Sequence, residues 1–248
     1  MFENRSVETE IMDDLEGGGT DMDQALRELE IINMLLGGNH ISINGLEILL
    51  KEYRNKGNSI RIADLGCGGG DILKLMAEWG RKKKLKLDLT GIDANPNIIK
   101  YAKNNSGNYP EINYQMVNIF SDDFRKQKFD IVHCCLFTHH FSDSELINLF
   151  SHLKTQANIG IIVNDLHRHW LAYYSIKIIT RLASKSDMVK NDGPISVLRA
   201  FKKEEVKKIL LNSGINDYLL KWKWAFRWQL IVRFQEKANS LKQKERLN

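Results

Sequence analysis

Apolar residues recur along this chain at two periods, and the two alternate. From Asp21 to Leu36 they fall at helical spacing (Met22, Ala25, Leu26, Leu29, Ile32, Leu36), and Gly37-Gly38 stops the run. Asn44 can cap a second helix over 45–54, and Gly57-Asn58 turns the chain into an apolar run, 60–65, that reads as a first strand. Helical patterns over 71–80, over 97–104 behind Pro96, and over 142–153 then alternate with strand-like runs at 85–93, 112–118, 129–137 and 159–166. Alternation of this kind predicts a parallel sheet with helices on both faces.

Residues 167–200 break the pattern. HWLAYYSIKIITRLASK is helical and rich in aromatics, and SDMVKNDGPIS reads as a loop; an insertion before the last crossover suits a substrate lid. A final amphipathic helix over 201–213 closes at Gly214. INDYLLKWKWAFRWQLIVRF alternates apolar and polar side chains and reads as two antiparallel edge strands. Strict alternation would set Trp222, Trp224, Phe226 and Trp228 on a buried side, with the lysines and Arg227 on the other. The same stretch is also compatible with a membrane surface or nucleic acid. Residues 1–20 are acidic, end in three glycines and read as a mobile or partly helical arm. Residues 236–248 read as a polar, frayed tail. Between them, 21–235 forms one domain, in which 21–54 is a helical cover and 167–200 the lid.

Composition narrows the class. A length of 248 residues, 43% hydrophobic and 27% charged, fits one large soluble domain. The net charge of +5 is mild and scattered, which argues against nucleic acid as partner. Cys67, Cys134 and Cys135 form no CxxC pattern, so a reducing cytoplasm is expected. The acidic N-terminus lacks the apolar run of a signal peptide, and no run approaches the ~20 residues of a membrane span.

The candidate chemistry starts at RIADLGCGGGD, residues 61–71. Four glycines at the end of a strand cost stability unless a ligand must touch bare backbone. In a doubly wound sheet that turn forms one wall of the ligand crevice. An acidic residue at the end of the second strand then receives sugar hydroxyls, and Asp93 lies 25 residues after Gly68. Asp71 stands where dinucleotide binding would want a third glycine, and Asp64 adds a second carboxylate. Both are poor company for a pyrophosphate and suit a ligand with a cationic end, such as S-adenosylmethionine. Asp71 also reads as a helix N-terminal residue favoured by the dipole.

These residues carry a resemblance. ADLGCGGGD resembles motif I of the class I S-adenosylmethionine-dependent methyltransferases, GIDANP their motif II, and FDIVHCCLFTHHFSD their motif IV in the menaquinone/ubiquinone-type branch. NMLLGG, VNDLHRHW and NDGPISVLRAFKKEEV further resemble bacterial small-molecule members. The resemblance implies a Rossmann-like seven-stranded sheet, mostly parallel with an antiparallel last strand. It implies that Asp64, Gly66, Cys67 and Gly68 line the methionine moiety and that Asp93 takes the ribose hydroxyls. Ala94, Asn118 and Ile119 would lie by the adenine, and Cys134 near the cofactor's backbone. Asn118 departs from the family's acid, but its oxygen can accept from an amine.

His139 and His140 follow the fourth strand, where a histidine could deprotonate a phenol or hydroxyl; each also reads as a capping or packing residue. Arg168 could hold a carboxylate or phenolate bidentately, or pair with a nearby acid. No HxxxH or HExxH pattern appears, so no metal is expected. The expected reaction is methyl transfer to a small aromatic or lipophilic acceptor, oxygen first and the carbon of a quinone-like ring second. A nicotinamide oxidoreductase and a non-catalytic cofactor-binding protein are the rivals. The expected protein is cytoplasmic, a monomer or homodimer, without stable membrane insertion.

Overall fold

The computed structural model describes residues 1–51 and 58–234. The expected tail, 236–248, and the end of the helix expected over 45–54 lie outside the described residues. Two helices, α1 (Thr20–Leu35) and α2 (Gly38–Leu50), precede β1 (Ile60–Leu65). There follow α3 (Asp71–Lys83), β2 (Leu87–Asp93), α4 (Pro96–Asn105) and β3 (Ile112–Met116). The short α5 (Asp122–Arg125) leads to β4 (Phe129–Cys135), α6 (Asp143–Gln156) and β5 (Ala157–Leu166). After β5 come α7 (Trp170–Ala183), α8 (Asp187–Arg199), α9 (Lys203–Asn212), β6 (Tyr218–Lys223) and β7 (Arg227–Arg233).

The seven strands form one sheet in the order β3-β2-β1-β4-β5-β7-β6. β1 to β5 pair in parallel, and β7 runs antiparallel to both β5 and β6. The order reverses between β1 and β4, the place where an open α/β sheet offers a crevice beyond its strand ends. Successive side chains of each strand point to opposite faces. One face packs Leu65, Val132, Cys134 and Val163 against α6 and α9, and the other packs Ile62, Leu89, Ile131 and Ile162 against α2 and α3.

Several expectations give way to packing. α2 starts at Gly38, directly behind the left-handed Gly37, seven positions ahead of the expected start; Asn44 lies inside the helix and accepts from Gln229. The stretch read as a loop after Ser184 is α8. Ser186 caps it by accepting from the Val189 N–H, and buried Val189, Ile195, Val197 and Leu198 hold it despite Pro194. The last two strands do not alternate continuously: a turn over 224–226 resets the register, so Arg227 is buried while Trp222 and Trp224 are exposed. The Arg227 guanidinium donates to Asn33 Oδ1 at 2.8 Å and Asn164 Oδ1 at 3.4 Å.

The N-terminal segment, read as a mobile or partly helical arm, lies across the ends of β4 and β5. Arg5 donates to the carbonyls of Phe141 and Arg199 and pairs with Asp143 at 2.8 Å. The N–H groups of Ile11 and Met12 donate to the Asp192 carboxylate on α8.

Candidate active site

A cavity of about 830 Å³ opens beyond the ends of β1, β2 and β4, roofed by the N-terminal segment, α1, α7 and α8. One wall is the turn from β1 into α3. Gly66 and Gly68 sit at φ +66° and +51°, a region that side chains rarely adopt. A Cβ on Gly66 would fall 2.0 Å from the Phe137 ring. A Cβ on Gly68 would meet only Leu26, at 3.8 Å, so its bare backbone faces the open cavity.

Asp64, Gly66, Cys67, Gly68, Asp93, Ala94, Asn118 and Ile119 all border this cavity. Asp64 is held from behind: its Oδ1 accepts from His133 Nδ1 at 2.6 Å, and His133 Nε2 meets Ser42 Oγ at 2.9 Å. His133, buried inside β4, thus orients a cavity carboxylate. Asp93 is fixed by the Asn95 N–H at 3.0 Å. Burial pushes its carboxyl up from the ordinary value, against the backbone N–H groups of Asn95, Gly68 and Ala94. Burial, then the nearby Glu30 charge, lifts Asp71 to about 6. The Asn118 side-chain oxygen accepts from the Phe120 N–H at 2.9 Å, so one of its two lone pairs is already used.

Two expected site residues are elsewhere. Cys134 points to the opposite face of the sheet and is buried in the core beside α6, because strand alternation gives the cavity side to its neighbour Cys135. Arg168 is fully buried outside the cavity. Its guanidinium donates to the carbonyls of Phe2, Glu3 and Ala200 and to Glu205 Oε1 at 2.5 Å. It ties the N-terminal segment to α9, with four of its five N–H donors taken by the fold and the side chain outside the cavity.

His139 and His140 do reach the cavity, on a short 3-10 turn, Thr138–His140. Asp165, at the end of β5, accepts from His139 Nδ1 at 2.7 Å, from the Thr138 hydroxyl at 2.6 Å and from the Thr138 and Leu166 N–H groups. Burial alone would raise its pKa, but His139 and these donors outweigh it and hold the carboxyl well below the usual range. The Nδ1 hydrogen of His139 is thereby assigned to Asp165, leaving the Nε2 lone pair uncommitted. His139 Nε2 is buried and has no hydrogen-bond partner.

The facing group is one the sequence reading missed. Glu10, from the N-terminal segment, places Oε1 at 3.6 Å from His139 Nε2, and that oxygen is also unpartnered. Its other oxygen accepts from Ser196 at 2.7 Å. Burial pushes Glu10 up to about 7, against the charges of His140 and Arg199. Asp13 accepts from His140 Nδ1 at 2.6 Å and from Arg199 at 2.5 Å. Glu10, His139 and His140 offer ligand atoms within 4.8 Å of one another, but the Arg199 guanidinium stands 3.7 Å from Glu10, a cation beside the place a metal ion would take. An acidic arm ahead of three glycines carries no periodicity that would have announced these contacts.

Residues 62–158 match a family model described as a methyltransferase domain. The stretch from β1 to the start of β5 is thus similar to methyltransferase domains. The chain is 30% identical over 143 residues to the ubiquinone biosynthesis O-methyltransferase of Rickettsia typhi, a match covering 54% of this chain and 52% of that protein. The chain thus spans about half the length of the curated relative it matches. Among solved structures, human N-acetylserotonin methyltransferase in complex with S-adenosylmethionine superposes with a TM-score of 0.61 at 14% identity, covering 86% of this chain and 55% of that one. The plantazolicin methyltransferase BpumL, in complex with S-adenosylhomocysteine, gives 0.58 at 17%, covering 84% and 86%. At these identities the likeness carries the fold. The residues around the cavity are of a kind that fits S-adenosylmethionine: bare backbone at Gly68, and two carboxylates, Asp64 and Asp93, that would suit a cationic end and a ribose. Among the described residues no helix is long and apolar enough to cross a membrane.

Proposed function

We propose that this protein transfers a methyl group from S-adenosylmethionine to a hydroxyl of a small aromatic or lipophilic acceptor, with His139 as the general base. The observation that supports the reading is the buried Asp165–His139 pair, whose unpartnered Nε2 belongs to a residue of the same cavity wall as the Gly66–Gly68 turn and Asp93. When bound, the cofactor supplies a methyl group already activated on a sulfonium. Asp64 meets its ammonium end and Asp93 its ribose. Phe137, Phe141, Ile176 and Ile179 give the cavity apolar walls that seat a flat or greasy acceptor and exclude water. His139 Nε2 accepts the hydroxyl proton of the acceptor, and Asp165 steadies the imidazolium that forms. The relative from Rickettsia typhi, named as an O-methyltransferase, supports oxygen over carbon.

The test is incubation with methyl-labelled S-adenosylmethionine and a panel of phenols, catechols and quinols, followed by product mass and NMR. The reading expects a methyl ether, and a rate about a hundredfold or more lower for His139→Asn with whichever acceptor is used. Label on a ring carbon, or His139→Asn turning over as fast as the parent, would overturn it.

A further inference from the structure

α7 carries two apolar faces. One, with Ala172, Ile176 and Ile179, lines the cavity. The other has no partner among the described residues. Leu171, Tyr174, Ile178 and Leu182 follow one another at helical spacing and are all exposed, Ile178 by 57% and Leu182 by 84%. The stripe continues at the start of the helix into exposed aromatics. The Trp170 ring lies 5.7 Å from His169, which stacks on Phe226 at 5.1 Å. Phe226 in turn contacts Trp222 at 6.0 Å and Trp224 at 6.3 Å, two indoles on the β6–β7 hairpin that are also exposed.

The charge around this surface has one sign. Lys177 and Arg181 flank the stripe, Lys185 follows it, and Lys221 and Lys223 flank Trp222. No acidic residue occurs in 167–185 or in 218–234. Among the described residues none of these five cations takes part in an ion pair. Acids at the margins of this surface are Glu28, which accepts from Ser184 and the Lys185 N–H, Asp187 past the end of α7, Asp217 ahead of β6, and Glu3, next to the Phe2 ring that packs on Tyr173.

We propose that this face, α7 together with the β6–β7 hairpin, docks on the surface of an anionic lipid bilayer. An apolar stripe at helical spacing bordered by lysine and arginine is the pattern of a helix lying in the membrane interface. Tryptophans favour the headgroup level, where an apolar ring and a polar N–H are both accommodated. Basic residues add attraction to anionic headgroups. The same charge disfavours a second copy of this chain, since a symmetric contact would set cation against cation. Docking brings two elements of the cavity wall, α7 and residues 224–227, to the membrane surface. A lipophilic acceptor dissolved in the bilayer would then lie next to the site. The docking itself does not depend on the proposed reaction.

Sedimentation of the full chain with vesicles tests this. Vesicles of phosphatidylglycerol mixed with phosphatidylcholine are compared with phosphatidylcholine alone. The proposal expects co-sedimentation with the anionic vesicles, weakened by salt, and at least tenfold weaker binding to neutral ones. The Ile178→Glu/Leu182→Glu double variant, whose changes lie on exposed positions outside the cavity, should bind anionic vesicles at least tenfold less. Its affinity for S-adenosylhomocysteine, by calorimetry, should stay within about twofold of the parent. That second readout confirms the fold and reports on the cofactor site separately. A parent protein that stays in the supernatant, a double variant that binds as well as the parent, or a parent dimer that the double variant dissociates would each overturn the proposal.

Discussion

One imidazole divides its work between two nitrogens. His139 Nδ1 is committed to Asp165, and Nε2 is left bare beside the unpartnered oxygen of Glu10. A buried polar atom without a partner costs roughly 1–3 kcal/mol. Two of them lie 3.6 Å apart in the cavity wall, and in the proposed reaction the acceptor hydroxyl gives His139 its missing partner. Glu10 also leaves a mark on stability. Its pKa rises from an ordinary 4.5 to about 7, so the folded state holds a proton that the unfolded chain releases. That contribution is full below about pH 4.5 and lost as pH rises toward about 7. Glu10→Gln, neutral throughout, should therefore lose less stability than the parent between these limits; melting temperatures measured across the range check it, and parallel curves for the two proteins would contradict it. Arg168 makes the opposite point. Four of its five donors serve the fold, so Arg168→Ala should cost about 2–4 kcal/mol in denaturant unfolding. The folded fraction should bind S-adenosylhomocysteine as the parent does. The sequence offered a cation two residues past a strand end and could not say which way the chain would turn it.

At the scale of elements, what was legible followed from periodicity. β1 has the expected bounds, and the alternation of strands and helices gave the layers and the crevice. What was not legible depended on parity or on distant contacts. Cys134 and Cys135 differ by one position and so by one face of the sheet. Gly193-Pro194 carries turn chemistry, yet α8 persists because its buried apolar residues and the Ser186 cap outweigh it. The turn at 224–226 reverses the sides that Trp222 and Arg227 were expected to take. The β1–α3 turn was read correctly as a place needing glycine, for two separate reasons. Gly66 leaves room for Phe137, and Gly68, at positive φ, leaves its backbone open to the cavity. Gly66→Ala, forced into a left-handed backbone against that ring, should destabilise the protein by ~2 kcal/mol or more. Chemical unfolding reads this directly, and an unchanged midpoint would refute the account of that turn.

For the whole molecule, cover and sheet act together on one cavity. Its floor is the strand ends, its walls are α1, α7 and α8, and part of its roof is a segment the sequence presented as a loose acidic arm. Filling it should stabilise the fold by mass action. S-adenosylhomocysteine at a hundred times its Kd contributes ~2.7 kcal/mol, or roughly 5–10 °C in Tm for a chain of this size. A nicotinamide dinucleotide at the same concentration should give no shift, because Asp64 and Asp71 confront its pyrophosphate. The central claim is that the bare turn and Asp93 grip an adenosyl ligand, and one calorimetric comparison tests it most directly. The parent should bind S-adenosylhomocysteine at one site per chain, and Asp93→Ala should bind at least about tenfold more weakly, the loss of one to two charged hydrogen bonds. Equal affinity in the two proteins, or no binding to the parent, would contradict it.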